Sequence, residues 1–225
     1  MEVQKLRSIA CAFDDKFFRF GFNLIRSFLQ IHPDYEVHCW AVNCGHLNQF
    51  DDIPNVHVYS QTRKFRSEKH KRCFMASYRF KVWWKLLNQG LIDECIAVDS
   101  DALVMRNLDV AYEALKNKEI LVALNLKLPT RQRLAAGCVV FRNTKGVRRY
   151  FSSYVENYKR LRLRQGWVWH NDQRALYNAF EKMKKSLKWG ILPPELQLMG
   201  GSIYQARGRR KYRSSYESRL KQCSL

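Results

Sequence analysis

Two aspartates separated by a single residue are the clearest candidates for chemistry in this sequence. Asp99 and Asp101 come directly after the apolar run 95–98. Because residues i and i+2 of an extended backbone point the same way, both carboxylates can face one divalent cation. Mg²⁺ and Mn²⁺ prefer oxygen ligands and commonly combine one or two carboxylates with substrate phosphate oxygens. The spacing predicts a metal site that binds a nucleotide diphosphate and stabilises it as a leaving group. Two solvated turn residues are the alternative interpretation.

Such a site needs a sheet edge, and the rest of the sequence predicts one. Short apolar runs alternate with segments whose apolar residues recur at helical spacing. The predicted strands cover residues 6–13, 36–42, 56–60, 94–98, 120–124 and 137–142, and the predicted helices cover 16–30, 74–87, 108–116, 150–161 and 172–185. This alternation is typical of an α/β domain with a mainly parallel central sheet and helices on both faces. Ligands of such sheets bind at the carboxyl ends of the strands, where Asp99 and Asp101 are expected.

The composition is that of a folded and strongly basic protein. The 225 residues include 40 Lys and Arg against 20 Asp and Glu, a formal net charge of +20, and 46% are hydrophobic. Six Trp and 13 Phe exclude a disordered chain. The charge predicts a polyanionic partner or an anionic surface, and leaves nucleic acid, phospholipid, acidic glycan and nucleotide open. Basic blocks recur along the chain, as in a general basic surface rather than one binding stripe.

The cysteines and the apolar runs indicate where the protein works. No pair among the seven cysteines has the C-x-x-C spacing of a zinc or redox site, so we expect reduced thiols that are mostly buried. No apolar run approaches the roughly 18–20 residues of a membrane span. The N-terminus lacks the pattern of a secretory signal. We therefore expect a cytoplasmic protein, with the basic surface allowing peripheral contact at an anionic membrane face.

Several short segments resemble, in the right order, those of GT-A glycosyltransferases, particularly the family 8-like enzymes. Residues 95–108 resemble the D-x-D segment, 12–15 the end of the first strand, 136–143 the small-residue strand beside the donor sugar, 171–173 the D-Q segment and 192–194 the late Leu-Pro segment. The resemblance covers roughly residues 8–200. It implies a single GT-A (Rossmann-like) domain, which we place at residues 1–203. Residues 204–225 are basic and almost free of aliphatic side chains, so we expect a C-terminal tail that is mobile or ordered by an anion.

The resemblance implies a role for each matching side chain. Asp172 and Gln173, which open a predicted helix, would act at the reacting carbon. Asp99 and Asp101 would hold Mn²⁺ or Mg²⁺. The residues expected to bind the donor are Asp14, Asp15, Arg79, Asp99, Ser100, Asp101 and Gly137. Several have a plainer interpretation: helix capping for Asp14, Asp15 and Asp172, a solvated charge for Arg79, and tight strand packing for Gly137.

The sequence departs from the family pattern near its end. Many of these enzymes supply a late His as a third metal ligand, and residues 201–211 contain none. Gln205 or a water molecule can take that position. Arg207 and Lys211, together with Arg209, can instead hold the diphosphate as a basic clamp. An ordinary basic tail is the alternative.

An aromatic cluster precedes the D-Q segment. Trp167, Trp169 and His170 lie within four residues. Aromatic faces suit the C–H surfaces of sugars, so the cluster is a candidate acceptor platform, and packing in the core or at its rim is the alternative.

These features together predict a metal-assisted glycosyltransferase of the hexosyltransferase type. The expected donor is a nucleotide-diphosphate sugar, with UDP as the expected nucleotide, and the expected acceptor is a hydroxyl of a glycan or glycolipid, as in polysaccharide biosynthesis. The family 8 resemblance favours retention of the anomeric configuration, although inversion stays open. The alternative is a basic nucleic-acid-binding protein without catalytic activity. Nucleic acid is not the expected partner, because no helix-turn-helix, zinc-finger or RNP-type signature occurs.

Overall fold

Strands and helices alternate along the chain. The computed structural model describes residues 7–196, 202–205 and 212–223. The strands are β1 (Arg7–Asp14), β2 (Glu36–Val42), β3 (Val56–Gln61), β4 (Glu94–Val98), β5 (Ala102–Val104), β6 (Ile120–Leu124), β7 (Leu134–Arg142), β8 (Trp189–Ile191) and β9 (Ile203–Gln205). The helices are α1 (Phe18–Ile31), α2 (Glu68–Asn88), α3 (Asp109–Leu115), α4 (Lys145–Gln165), α5 (Asn171–Met183) and α6 (Tyr212–Gln222).

Seven strands form the central sheet, in the order β3-β2-β1-β4-β7-β6-β8. Six of them run in one direction, and β7 runs antiparallel to both of its neighbours. The predicted α/β fold with a mainly parallel sheet is confirmed. The carboxyl ends of six strands and the beginning of β7 therefore meet at one side of the sheet, which we call the carboxyl edge.

Helices cover both faces of this sheet. Helices α2, α4 and α5 enclose one apolar cluster, whose largest buried side chains include Trp83, Tyr150 and Phe180, while α1 and α3 enclose the other, with Leu24 and Phe28. Strand β4 is buried along its whole length, as a strand covered on both faces must be, which explains the unbroken apolar run 95–98. Cys11, Cys39, Cys95 and Cys138 are buried in these clusters, as expected. Nowhere in the described ranges does a helix have the length and apolar character needed to cross a membrane.

Two long helices begin at hydroxyl caps. The Ser67 hydroxyl accepts a hydrogen bond from the His70 N–H at 3.1 Å and begins α2, and the Thr144 hydroxyl accepts one from the Val147 N–H at 3.1 Å and begins α4. Such caps satisfy backbone donors that have no partner in the first turn. Helix α2 thus begins six residues earlier than its apolar pattern predicted, because its first turns are polar and held by the cap.

The C-terminal segment returns to the domain. Strand β9 pairs antiparallel with β5, and Tyr216 and Leu220 of α6 pack with Leu103 of β5 and Tyr204 of β9. The ring of Tyr216 meets that of Phe20 edge-on, with 4.9 Å between centroids. Where we expected a mobile or anion-ordered tail, the structure has a strand and a packed helix. The boundary after residue 203 stays a prediction.

Candidate active site

A cleft of about 400 Å³ opens at the carboxyl edge, beside the ends of β1 and β4 and the beginning of β7. Helices α2 and α5 supply its remaining wall. Nine of the residues singled out from sequence line it: Asp14, Arg79, Asp99, Ser100, Asp101, Gly137, Trp169, Asp172 and Gln173. The structure thus brings side chains that are up to 159 positions apart in sequence to one place. Their roles stay predictions.

The turn that follows β4 carries both aspartates of the D-x-D segment. The Asp99 N–H donates to the Gly137 carbonyl at 3.0 Å, and the Asp99 carbonyl accepts from the Ala102 N–H at 3.1 Å. These bonds tie the turn to β7 on one side and to the beginning of β5 on the other. Asp99, Ser100 and Asp101 consequently all face the cleft.

Arg79 is the buried cation of the cleft. Its guanidinium forms an ion pair with Asp99 through Nη1 and donates through Nη2 to the Ala136 carbonyl at 3.1 Å. Burial opposes the charge, but the attraction of Asp99 and Asp172 outweighs it, so the pKa of Arg79 is raised above its ordinary value. The cleft therefore holds a fixed positive charge next to the D-x-D turn, which is suited to a phosphate oxygen.

Asp172 is a buried carboxyl in the first turn of α5. Burial raises its pKa from 3.8 to about 6, and the charges of Arg79 and the N–H of Gln173 oppose this shift. A carboxyl with this pKa is mostly ionised at neutral pH and can still exchange a proton there, which is the property of a general acid–base group. Its side chain also lies at a helix N-terminus, where a negative charge is favoured.

Asp14 ends β1 and has two partners. Its Oδ1 accepts from the Phe17 N–H at 3.1 Å, which is the capping role considered from sequence, and its Oδ2 lies 2.7 Å from the Lys71 ammonium. Lys71 was not predicted as a site residue. Lys71 belongs to the basic block 63–72, which the sequence indicated only as surface charge. Two other residues of this block, Glu68 and Arg72, line the cleft.

Three predicted residues do not line the cleft. Asp15 accepts a hydrogen bond from the Gly45 N–H at 3.2 Å. Trp167 packs on the ring of His70, with 4.1 Å between centroids. His170 lies directly before α5 with a positive φ of 69°. Only Trp169 of the proposed acceptor cluster lines the cleft, and it is 54% exposed. Trp167 therefore fits the packing interpretation.

The structure does not describe the side chains of the predicted basic clamp or of the alternative metal ligand. Arg207, Arg209 and Lys211 lie outside the described residues. Gln205 is described only through its backbone, which pairs with Ala102.

Asp99 and Asp101 are the carboxylates of the cleft that would hold a divalent metal. Within residues 7–196, 202–205 and 212–223 there is no group of three or more His, Cys, Asp or Glu that can hold a metal. Asp99 and Asp101 on one turn do match the pattern in which Mg²⁺ or Mn²⁺ binds one or two carboxylates and takes its other ligands from phosphate and water.

Glycosyltransferases are among the solved structures with a similar fold. The galactosyltransferase LgtC, solved in complex with donor and acceptor sugar analogs, is 13% identical, with a TM-score of 0.61 over 96% of this chain and 95% of LgtC. GlyE of Streptococcus pneumoniae TIGR4 is 14% identical, with a TM-score of 0.57 over 86% of this chain and 47% of GlyE. The bifunctional glycosyltransferase WbbM is 14% identical, with a TM-score of 0.54 over all of this chain and 45% of WbbM. By sequence, no protein-family model and no curated protein matches. The chain therefore has the GT-A-like fold that these glycosyltransferases share.

Proposed function

We propose that the protein is a glycosyltransferase of the hexosyltransferase type that uses a UDP-linked sugar and a glycan or glycolipid acceptor. In this reaction the anomeric carbon exchanges its bond to a diphosphate oxygen for a bond to the acceptor oxygen. The diphosphate leaves with the electron pair, and the proton of the acceptor hydroxyl passes to the leaving diphosphate in a retaining reaction or to Asp172 in an inverting one. The observation that carries the proposal is one cleft, in a glycosyltransferase fold, lined by the D-x-D turn, Arg79 and Asp172.

The donor's diphosphate would lie against the D-x-D turn. Asp99 and Asp101 would hold Mn²⁺ or Mg²⁺, which supplies positive charge to the leaving diphosphate when bound. Arg79 adds a charge that cannot be titrated away, and it is held in place by the Ala136 carbonyl. Lys71 holds Asp14 at the end of β1, where we place the nucleoside.

Asp172 and Gln173 would act beside the reacting carbon. In a retaining reaction, the Asp172 carboxylate stabilises the positive charge that develops there, and the Gln173 amide can hydrogen-bond the sugar. In an inverting reaction, Asp172 accepts the proton of the acceptor hydroxyl. The resemblance favours retention, and the anomeric configuration of the product distinguishes the two.

Thermal unfolding with nucleotides tests the proposal. Unfolding temperatures are measured with UDP, GDP and other nucleoside diphosphates, with and without Mn²⁺, on the parent protein and on Asp99→Asn. A ligand at about 100 times its Kd adds about 2.7 kcal/mol, which is roughly 5–10 °C for a chain of this size. We expect a Mn²⁺-dependent shift with UDP that Asp99→Asn loses.

Glu113→Gln is the matched control, because it removes one negative charge from an exposed residue of α3. It should keep the full shift. Equal shifts with every nucleotide, indifferent to Mn²⁺ and to Asp99, would contradict the proposal. They would favour a general phosphate-binding surface and hence the nucleic-acid alternative.

A further inference from the structure

Exposed apolar side chains are concentrated on one side of the molecule. Among the described residues, the large hydrophobic side chains that are exposed are Phe17, Leu91, Leu126, Leu128, Leu163, Val168, Trp169 and Ile191. All of these except Leu91 lie at the carboxyl edge, where the cleft opens. Single exposed apolar residues are ordinary, but several at one edge of the sheet, with Leu163, Val168 and Trp169 in one stretch of seven residues, indicate an interaction site.

The sheet topology places four of the seven at this edge. Phe17 follows the carboxyl end of β1. Leu126 and Leu128 lie between the end of β6 and the beginning of the reversed strand β7, both of which are at the carboxyl edge. Ile191 is the last residue of β8, which runs parallel to β6.

Helix α4 brings the other three. Strand β7 ends at the opposite edge, and α4 runs back from there over 21 residues, about 30 Å. Its last turn carries Leu163, which is 71% exposed, and Val168 and Trp169 follow directly before α5. Because Trp169 lines the cleft, this end of α4 lies at the cleft opening.

Basic side chains surround the same place. Trp167, next to Val168, packs on His70, and the Arg162 guanidinium lies 5.5 Å from the Trp167 ring. The stretches 62–72 and 159–169 therefore meet, and we call them together the cleft rim. Their exposed basic residues are Lys64, Arg66, Lys69, Arg72, Lys159, Arg160, Arg162 and Arg164, and their one acidic residue is Glu68.

We propose that the cleft rim docks the protein onto a lipid bilayer that contains anionic lipids. Exposed Leu, Val and Trp side chains gain by entering the interfacial region of a bilayer, and the surrounding Lys and Arg attract acidic headgroups. A nucleic acid would use the charges and the Trp, but it offers nothing to exposed Leu163 and Val168. The cleft would then open towards the membrane, where a glycolipid acceptor would be embedded. Access to that acceptor rests on the proposed function, whereas lipid binding does not.

Vesicle flotation tests the docking surface. Phosphatidylcholine vesicles with and without phosphatidylglycerol are compared for the full chain, for Arg160→Gln with Arg164→Gln, and for Leu163→Ser with Val168→Ser. We expect binding only to the anionic vesicles. Each pair of changes should weaken it about 10- to 30-fold, because each basic residue near the surface, and each apolar side chain in it, contributes roughly as much as a tenfold change in affinity or somewhat less.

The control lies on the same helix. Lys145→Gln with Arg149→Gln removes two exposed charges at the other end of α4 and should change binding by less than about threefold. Equal loss in this control would overturn the proposal in favour of a diffuse basic surface. No loss in Leu163→Ser with Val168→Ser, combined with full displacement of vesicles by RNA, would overturn it in favour of nucleic acid. UDP affinity measured by calorimetry is unaffected in all these variants if the proposed function holds, so the two proposals fail separately.

Discussion

Asp172 is buried with a raised pKa, and this has a consequence for stability. Its pKa is about 6 in the folded protein against 3.8 when unperturbed. Between these values the folded state holds a proton that the unfolded chain has lost, so the free energy of unfolding falls as the pH rises through this window. Two units of difference correspond to about 3 kcal/mol. At neutral pH the ionised Asp172 is therefore destabilising, which is common for functional groups.

We expect Asp172→Asn to be more stable than the parent at pH 8, by up to about 3 kcal/mol, because it removes a buried negative charge. The advantage should disappear near pH 4, where the parent's Asp172 is protonated. Sugar transfer should fall at least about a hundredfold. Urea unfolding at the two pH values, with a transfer assay, measures both. A variant that is less stable at pH 8 would show that the carboxylate is better solvated than its burial indicates.

Arg79 controls the same titration. Its charge lowers the pKa of Asp172, against the effect of burial. We expect transfer by the parent to decline below about pH 6 and the decline in Arg79→Met to begin at higher pH. Arg79→Lys keeps the positive charge and should keep the decline near its parent position. The measurement is the pH dependence of kcat for the three proteins. An unchanged profile in Arg79→Met would show that Asp172 is not the group whose ionisation limits transfer.

At the scale of elements, the sequence predicted the bounds of those strands that are set by the pattern of apolar residues alone. The strands β2, β4 and β6 have the predicted bounds, because each is a buried apolar run ended by polar residues. Strands β5, β8 and β9 have only three residues each, too few for a periodic pattern. Helix α6 was missed because, among its described side chains at 216–222, only Tyr216 and Leu220 are buried, too few for an apolar pattern.

The residues of the candidate site likewise divide into those that could be predicted from the sequence and those that could not. Residues that end strands, such as Asp14 and Asp99, could be placed from sequence because the fold brings strand ends together. Lys71 could not, since a basic block does not reveal which of its charges turns inward to a carboxylate. In sequence, Trp167 and Trp169 were equivalent candidates. They differ only in the structure, where Trp167 packs on His70 of α2 and Trp169 lines the cleft.

The caps of α2 and α4 offer a test of how helices position the cleft. Ser67 lies at the carboxyl edge and Thr144 at the opposite one, and both begin helices of 21 residues. Ser67→Ala should cost about 1 kcal/mol and weaken UDP binding, because the first two turns of α2 carry Lys71 and Arg72. Thr144→Ala should cost more, since its hydroxyl also donates to Glu119 at 2.6 Å, yet leave UDP binding unchanged. Urea unfolding and calorimetry measure the two effects, and parallel losses of affinity would contradict this assignment.

At the scale of the whole molecule, the C-terminal helix supports the candidate site from behind. The D-x-D turn leads directly into β5, and β5 is held by β9 and by Tyr216 of α6. The position of Asp99 and Asp101 therefore depends on residues more than 100 positions later in the chain.

We expect Tyr216→Ala to lower the free energy of unfolding by about 3 kcal/mol, because a large side chain that is almost fully buried is lost. Mn²⁺-dependent UDP binding should weaken as well, since the cavity left by the Tyr216 side chain lies next to β5, which continues from the D-x-D turn. Leu163→Ala, at an exposed position, should leave both unchanged. Chemical unfolding and UDP titration check this. Intact UDP binding in a destabilised Tyr216→Ala would show that the turn is held by β4 and β7 alone.

The single reversed strand of the sheet has an evolutionary consequence. Because β7 begins at the carboxyl edge, the chain crosses this edge twice in succession, through residues 125–133 before β7 and through residues 166–170 after α4. Neither crossing contains a strand of the central sheet, so insertions and deletions there leave the order of strands and the D-x-D turn untouched. Descendants of one ancestral chain can therefore differ in these two loops, while the sheet and the D-x-D turn are inherited without change.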